Sequence, residues 1–350
     1  MTNFRTYDSG QSASLPTRRE FILPEIAYVN PNDTPIYSIL SRPYTPNTLA
    51  EWVMGDLNFD FSDTSVSASI EGIAASAIPT SYNKRTRLGT HLMINTDLVQ
   101  VTRTQRQMDE VGVADEYAQQ IWEKSLNLAK KNEKNFLWSE DNAGDATTAR
   151  KSSGFWDYLT AFGNATSTVS FNGYSVPVEY STYLDETAAP MTRDRLNTLM
   201  DKGWQQGLNF QNAITFVGSE LKKIISGFGM VYSGSGATLS AAPLNERNIP
   251  AAARTLIDAI DIYEGDFGTL YVNKNRYLTG TSTVTINSKS IVPANSMMIF
   301  EPSYFQIGEL QPLTHVPLAK DGDYTQGMLV CEYCLICRNP KAIVGALNAA

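Results

Sequence analysis

The three cysteines, Cys331, Cys334 and Cys337, have the spacing of the first three ligands of a bacterial iron–sulfur motif. The fourth ligand of that motif would fall at position 341, where the chain has Lys341. The same segment, CEYCLIC, also alternates apolar residues as a β-strand does, and in a strand Cys334 points away from the other two thiols. We therefore expect these cysteines to be small buried side chains of one strand and not metal ligands.

The two histidines, His91 and His315, belong to no zinc-binding HExxH pattern, and the chain has no GxSxG nucleophile motif. His315 lies between two prolines, which favours a side chain packed in a turn over a catalytic base. The glycine-rich segment 227–236 lacks the lysine of a phosphate-binding loop and is typical of a mobile loop. The sequence therefore predicts no catalytic, cofactor-binding or metal-binding residues, and a protein that is not an enzyme.

The composition is that of a folded protein, since 42% of the 350 residues are apolar and 18% are charged, which excludes disorder over the whole chain. The net charge of −8, without an arginine-rich tail, argues against tight neutralisation of nucleic-acid phosphates. No run approaches the roughly 20 apolar residues of a membrane span, and the N-terminus lacks the apolar core of a signal peptide. We expect folding in a cytoplasm, no membrane contact and no specific binding of nucleic acid.

The element most able to position other parts of the chain is a long helix predicted over residues 109–138. Acidic residues gather at its start and lysines near its end, as the helix dipole favours. Its length would be roughly 45 Å, and its apolar stripe holds no heptad because Ser125 and Asn132 interrupt it. The stripe consists of Ala114, Tyr117, Ala118, Ile121, Leu128 and Phe136. We favour the central beam of a flat domain over a coiled-coil arm.

Residues 51–100 are predicted to form a long hairpin with a returning arm at 82–101 and a small, polar middle at 62–77. Arms of about 20 residues would reach on the order of 60 Å, so the hairpin must project and be covered by a partner. The first 20 or so residues are predicted to be a flexible arm. Residues 21–40, which mix apolar residues with prolines, are predicted to lie extended over their own or a neighbouring subunit.

An α/β unit is predicted after residue 190. Thr192 caps its first helix, Gly207 ends it, and one face of the helix carries Leu196, Leu199, Met200 and Trp204. Further predicted elements are a hairpin within 166–183, strands at 213–217, 255–263, 270–272, 296–300 and 328–338, and a helix at 220–226 capped by Ser219.

Several local patterns occur in the order found in one known family. They are DTP at 33–35, EW at 51–52, DL at 56–57, EG at 71–72, GVADEYAQQ at 112–120, NEKNFL at 132–137, the GWQQGLNF block at 203–228, GDFGTLYVNKNRYL at 265–278 and LAKDGDYTQGMLVCEYCL at 318–335. In these patterns the chain resembles the major capsid proteins of tailed bacteriophages with the Hong Kong 97-type fold. The resemblance runs from about Glu20 to the end of the sequence.

The resemblance implies an α+β fold with four parts: an N-terminal arm, an extended hairpin called the E-loop, a peripheral domain with a long spine helix, and an axial domain. On this chain the implied division is an arm at 1–40, the E-loop and its base at 41–104, the peripheral domain at 105–189, the axial domain at 190–294, and return strands of the peripheral domain with the C-terminus at 295–350.

The implied function is self-assembly into the pentamers and hexamers of an icosahedral shell that encloses the double-stranded DNA genome of a tailed phage. The implied partners are further copies of the chain, a cement or decoration protein, a portal and a scaffold. The implied location is the virion, after assembly in the host cytoplasm. An encapsulin-type bacterial compartment shell is the alternative, and an enzyme acting on carbohydrate or nucleotide through segment 227–236 is a third hypothesis.

Some proteins of this fold join neighbours by an isopeptide bond between an E-loop lysine and a neighbour's asparagine. Here Lys84 is the only lysine before Lys124, and it lies on the returning arm, outside the hairpin middle at 62–77. The cysteines offer no substitute in a cytoplasmic protein. We therefore expect a shell without covalent cross-links.

Overall fold

The structure is a computed structural model that describes residues 28, 33–56, 64, 68, 70–74, 84–108, 112–163, 169–176, 182–185, 190–233, 240–243 and 261–349. The predicted flexible arm and most of the hairpin middle lie outside these residues. The helices of the described part are α1 Pro35–Ile39, α2 Arg103–Gln107, α3 Glu116–Trp138, α4 Phe155–Phe162, α5 Arg193–Gln205 and α6 Ser219–Ser226.

The strands of the described part are β1 Leu49–Asp56, β2 Lys84–His91, β3 Met93–Thr102, β4 Val169–Phe171, β5 Tyr174–Val176, β6 Thr182–Asp185, β7 Ile214–Val217, β8 Met230–Ser233, β9 Ser240–Pro243, β10 Ile262–Gly265, β11 Gly268–Lys274, β12 Val284–Ile286, β13 Lys289–Ile291, β14 Met297–Phe300, β15 Phe305–Pro317, β16 Tyr324–Cys337 and β17 Ile343–Leu347.

Two sheets carry most of the architecture. A six-stranded sheet has the order β10-β11-β7-β14-β17-β6, with β11 parallel to β7 and β17 parallel to β6. A three-stranded antiparallel sheet has the order β15-β16-β3. Helices and sheets are thus mixed in one α+β fold.

Strands β14 and β17 lie between two hydrophobic cores. Every residue of both strands is buried, as expected for strands covered on both faces. Met297 and Ile299 pack into the core beneath α5 and α6, whereas Met298 and Phe300 pack into the core that holds α3, α4 and β16. This strand pair therefore connects the two halves of the molecule.

The long predicted helix is confirmed as α3, but its predicted start is wrong. The helix ends at Trp138 as expected and begins at Glu116, with Asp115 as N-cap accepting a hydrogen bond from the backbone N–H of Tyr117. Gly112 has a φ of +85°, which no helical residue adopts, so the turn around it separates residues 112–115 from the helix.

The predicted hairpin is confirmed at its base, but its returning arm is not one strand. β1 pairs with β2 from Leu49 opposite His91 to Asp56 opposite Lys84. The chain then leaves the hairpin at the fully buried Leu92, whose N–H donates to the Thr48 carbonyl. The next strand, β3, pairs with β16 instead of β1. The described hairpin pairing is therefore eight residues long, much shorter than the predicted arms.

The helix predicted after Thr192 is confirmed as α5. The Thr192 hydroxyl accepts a hydrogen bond from the Arg195 N–H, and Gly207 follows the helix with a φ of +90°. The predicted apolar face is wrong for one residue, because Trp204 is 58% exposed and contacts Phe267 at the rim of the sheet.

Helix α6 starts one residue before the predicted 220–226 helix. Ser219 is its first residue, Gly218 is its N-cap, and no described side chain caps it. The predicted loop at 227–236 is partly wrong, because β8 within it pairs with β9, while residues 234–239 lie outside the described part. His315 is likewise in a strand and not in a turn: it lies on β15 opposite Leu329.

The remaining predicted strands are confirmed with shifted ends. They correspond to β4 and β5 for the 166–183 hairpin, β7 for 213–217, β11 for 270–272, β14 for 296–300 and β16 for 328–338. The turn between β4 and β5 has positive φ at Asn172 and Gly173, as a two-residue hairpin turn requires. Of the predicted strand at 255–263, residues 255–260 lie outside the described part.

Candidate functional site

A buried carboxylate on α3 holds the segment that contains α1. Glu133 is fully buried, and its two oxygens accept hydrogen bonds from the N–H groups of Ile36 at 2.7 Å and Tyr37 at 3.1 Å. These two N–H groups lie in the first turn of α1, where helices leave donors unpaired. Burial raises the pKa of the Glu133 carboxyl to about 7, although both hydrogen bonds oppose that shift.

Aromatic contacts strengthen the same attachment. The Tyr37 ring stacks on Phe136 with centroids 6.3 Å apart, and its hydroxyl donates to Glu309 of β15 at 2.9 Å. Toward the N-terminal end of α3, the ring centroids of Tyr28 and Trp122 lie 5.2 Å apart, and the Tyr28 hydroxyl donates a hydrogen bond to Glu123. Tyr28 and α1 therefore contact α3 near its two ends.

Two acidic residues, Asp141 and Asp157, hold the base of the β1–β2 hairpin. Asp141, just after α3, accepts hydrogen bonds from the Thr90 hydroxyl and the His91 N–H, and its other oxygen lies 2.8 Å from Nδ1 of His91. Asp157 of α4 in turn accepts from the Asp141 N–H and from the Asn287 side chain. Burial raises the pKa of Asp157 to about 6. The near end of the hairpin is thus joined to α4.

The two faces of the hairpin differ. Leu88 is fully buried, and Trp52 and Met54 pack against the same core. On the opposite face Val53 is 64% exposed, and Glu51 pairs with Arg87 at 3.1 Å. The hairpin therefore lies on the body along one face. On its other face Val53 is exposed, whereas Tyr174 of β5 covers the part around Glu51 and Gly89.

Beyond the paired strands, residues 70–74 form a turn in which the Ile73 N–H donates to the Ile70 carbonyl. Gly72 has a φ of +81° in this turn, and Ile70 is 80% exposed. An isoleucine with this exposure contributes nothing to the core of its own chain, so the turn presents an apolar side chain outward.

The outer face of the three-stranded sheet carries a row of apolar side chains. Leu98, Met328 and Val316 lie opposite one another across β3, β16 and β15. Leu98 is 46% exposed and Val316 is 37% exposed, and Ile94 on β3 is 49% exposed. Adjacent exposed apolar side chains of this kind mark surfaces that a partner covers.

A sequence model of one family, described as SU10 major capsid protein, matches residues 2–349. The chain belongs to the SU10 major capsid protein family. Curated proteins offer no match to it.

Several solved structures that resemble this capsid protein belong to phages and related particles. One is the capsid of a native GTA particle, with 11% identity, full coverage of both chains and a TM-score of 0.55. Another is the capsid of cyanophage A-1(L), with 12% identity, 95% and 97% coverage and a TM-score of 0.59. A third is Mycobacterium phage Bobi, with 10% identity, 97% and 98% coverage and a TM-score of 0.57. At these identities the likeness shows the fold.

The Hong Kong 97-type fold expected from the sequence is therefore confirmed. The protein is a major capsid protein of a tailed phage, a subunit of a homo-oligomeric shell and a component of the virion. The phage interpretation is favoured over the encapsulin alternative because the family model spans nearly the whole chain.

The cysteines of this capsid protein are buried, as predicted. Cys331 and Cys337 lie in the core with α3, whereas Cys334 points to the other face of β16 and packs with Ala50 and Leu92. Burial raises the pKa of the Cys334 thiol to about 12. In the described part of the chain no group of His, Cys, Asp and Glu residues could hold a metal ion, and no helix is long and apolar enough to cross a membrane.

Sequence reasoning missed the polar residues that connect the elements of the capsid protein. Asn132, which interrupts the apolar stripe of α3, is buried and accepts a hydrogen bond from Asn95 of β3. Asn95 also donates to the Tyr333 hydroxyl of β16. The interruption of the stripe was the available signal, since a buried amide needs a partner. Glu133 gave no such signal because it lies among lysines that are typical of a solvent-facing helix surface.

Proposed function

We propose that this chain forms the pentamers and hexamers of an icosahedral shell around double-stranded DNA, and that its arm and hairpin make the contacts between subunits. The arm segment, residues 33–40, and the hairpin are both anchored on the body at one end, by Glu133 and by Asp141. Both then continue into residues outside the described part. Anchored extensions of this kind suit contacts with neighbouring copies.

The outward face of the hairpin carries this proposal. Val53 and Ile70 expose most of their side chains, although β1 and β2 are well paired and their base is buried. In a single chain these side chains gain nothing from burial, whereas a neighbour that covered them would remove their apolar surface from water.

Deletion of residues 63–78 tests the proposal. The deleted protein should stay folded and soluble, because the described residues in that stretch are exposed and contribute nothing to either core. It should form no closed shells in negative-stain electron microscopy, whereas the complete chain should form them. Normal shells from the deleted protein would refute the role of the hairpin.

We further propose that the shell has no covalent cross-links, because Lys84 is the only lysine before Lys124 and lies at the start of β2 rather than in the hairpin middle. Boiled particles on a reducing denaturing gel should give one band near 38.6 kDa. A ladder of multimers that survives boiling and reduction would refute the proposal and direct attention to Lys84.

The division into an arm at 1–40, an E-loop at 41–104, a peripheral domain at 105–189, an axial domain at 190–294 and return strands at 295–350 remains our proposal. Within 295–350, β15 and β16 belong to the three-stranded sheet with β3, and β14 and β17 belong to the six-stranded sheet. We also propose that the protein is not an enzyme, assembles in the host cytoplasm, and meets a portal, a scaffold and a cement or decoration protein.

A further inference from the structure

The charges of the hairpin are separated along its length. Residues 56–83 contain four acidic residues and no lysine, arginine or histidine, whereas residues 84–87 contain three cations. Within the described part, Glu71 lies in the turn at 70–74, and Arg85 and Arg87 lie on β2. One element that carries opposite charges in two places can attract a second copy of itself, with the acidic part of one copy next to the basic part of the other.

The basic part lies on the open half of the outward hairpin face. Val53 is directly opposite Arg87 and Gly55 is directly opposite Arg85, so these four residues share one face, which we call the basic face. Val53 and both arginines are exposed. In the described part of the chain nothing lies within 4 Å of where a Gly55 Cβ would be, so the basic face is uncovered there.

The two arginines of the basic face differ in their use within the chain. Arg87 pairs with Glu51 at 3.1 Å, and the Tyr174 hydroxyl donates to the other oxygen of the same carboxylate. No carboxylate among the described residues pairs with Arg85. Arg85 beside the exposed Val53 therefore offers a partner a positive charge together with an apolar contact.

The acidic part is the turn at residues 70–74, which we call the Ile70 turn. All five residues are exposed, including Ile70 at 80% and Ile73 at 37%. The Ile73 N–H donates to the Ile70 carbonyl, and the positive φ of Gly72 makes this a tight turn with Glu71 at its centre. The Ile70 turn therefore presents one carboxylate between two isoleucines.

These two surfaces are complementary but do not meet within one chain. The Ile70 turn combines apolar side chains with an acid, and the basic face combines an apolar side chain with an unpaired cation. In the described structure both are open, since Ile70 is exposed and the space above Gly55 is empty of described atoms. Two different complementary surfaces on one chain make a head-to-tail contact, which closes into a ring when the rotation between copies allows it.

We propose that the Ile70 turn of one copy binds the basic face of the next copy. Ile70 then packs against Val53, and apolar surface of both side chains leaves water. The Glu71 carboxylate pairs with the Arg85 guanidinium. The charges select this orientation, because two turns would bring acids together and two basic faces would bring arginines together. This proposal rests on the shell proposed above and names the surfaces by which its hairpins join neighbours.

Oxidative cross-linking of assembled particles tests the contact directly. In the Val53→Cys/Ile70→Cys double variant each subunit carries one half of two different disulfides. Mild oxidation should therefore give a ladder of up to five or six chains on a non-reducing gel, and reduction should collapse it to monomers. The single variants Val53→Cys and Ile70→Cys are the controls and should stay monomeric, because Cys331, Cys334 and Cys337 are buried.

Charge reversal tests the ion pair. Glu71→Arg and Arg85→Glu should each lower the yield of closed shells about tenfold or more, since each places like charges together at every contact. The double variant Glu71→Arg/Arg85→Glu restores opposite charges and should recover most of the yield. Glu264→Arg combined with Arg85→Glu is the matched control, because Glu264 is exposed on β10, away from the hairpin, and should restore nothing.

The outcomes separate this contact from the shell itself. Closed shells of the cysteine double variant that give no ladder would overturn the contact, leave the shell proposal standing and show that another partner covers the basic face. A charge-reversed double variant that assembles no better than the single variants would overturn the ion pair. A wild type that forms no closed shells would refute the shell proposal and the contact with it. Circular dichroism verifies that the variants are folded, and if a reversal is not, the cross-linking decides.

Discussion

The β14–β17 pair and the β1–β2 hairpin are both antiparallel, yet they differ in what surrounds them. Every residue of β14 and β17 is buried between two cores. In the hairpin, Leu88 is fully buried while Val53 on the other face is 64% exposed. Packing within one chain surrounds the first pair, whereas the second pair leaves the Val53 side of the hairpin exposed and available to another chain.

The glycines of the two regions show the same difference. A Cβ on Gly345 of β17 would lie 2.5 Å from Leu159 and 2.9 Å from the Met297 carbonyl oxygen, whereas a Cβ on Gly55 of β1 would meet nothing within 4 Å. The same residue type is thus required by packing in one strand and tolerated in the other. Substitutions in β17 should therefore affect folding, and substitutions on the outer hairpin face should affect assembly.

The largest effect is expected from Gly345→Val. The new side chain overlaps Leu159 and the backbone of β14, and overpacking of this kind costs about 1–3 kcal/mol or more. Thermal unfolding followed by circular dichroism should show a much lower melting temperature or an insoluble protein. Gly55→Val is the matched control and should melt within a few degrees of the wild type. Equal effects of the two substitutions would remove the distinction between the regions.

An intermediate effect, dependent on pH, is expected from Glu133→Gln. Burial raises the folded-state pKa of Glu133 to about 7 from the usual glutamate value of 4.5, so the folded chain binds this proton more tightly than the unfolded chain does. The stabilisation from that proton is fully present below about pH 4 and is lost as the pH rises through 7. It amounts to at most about 3 kcal/mol. Glutamine cannot ionise and has no such dependence.

Denaturant unfolding between pH 5 and pH 8 checks this expectation. The stability of the wild type should fall relative to that of Glu133→Gln as the pH rises. Glu264→Gln, at an exposed position on β10, should follow the wild type at every pH. If the curves of Glu133→Gln and the wild type run parallel, the Glu133 carboxyl does not titrate as its burial requires.

The smallest effect on folding is expected from Val53→Asp. Val53 is largely exposed, so the substitution should change the free energy of unfolding by about 0.5 kcal/mol or less. It should nevertheless reduce the yield of closed shells in electron microscopy, since it places a charge on a surface proposed to be covered. Val53→Thr, which keeps the shape without the charge, should assemble far better. Full assembly of Val53→Asp would show that this face stays in water.

The elements with strong periodicity could be predicted from the sequence. The apolar pattern of α3 predicted that the helix ends at Trp138. The alternation in CEYCLIC predicted that Cys334 lies on the other face of the strand from Cys331 and Cys337. Such patterns report which face of an element is buried, and burial is a local property of each residue.

Pairing partners could not be predicted in the same way. Apolar residues continue at even steps from Leu88 through Leu92 to Leu98, so nothing local marks the point where the chain passes from β2 to β3. The hydrogen bonds that Glu133 accepts could not be predicted either, because its partners Ile36 and Tyr37 lie almost 100 positions away in the sequence. Spacing within an element does not encode what meets it from elsewhere.

Strand β16 lies between β3 and β15, and this position has a consequence for folding kinetics. Asn95 of β3 hydrogen-bonds Tyr333 of β16 across 238 positions of sequence, so the two strands must find each other late in synthesis. Until then the edge of β3 that pairs with β16 has no partner strand. The face of α3 that packs against β16 is likewise exposed to water. Native contacts this distant slow folding and prolong the exposure of apolar surface. A newly made subunit should therefore pass through a period in which association with other chains competes with completion of its own sheet.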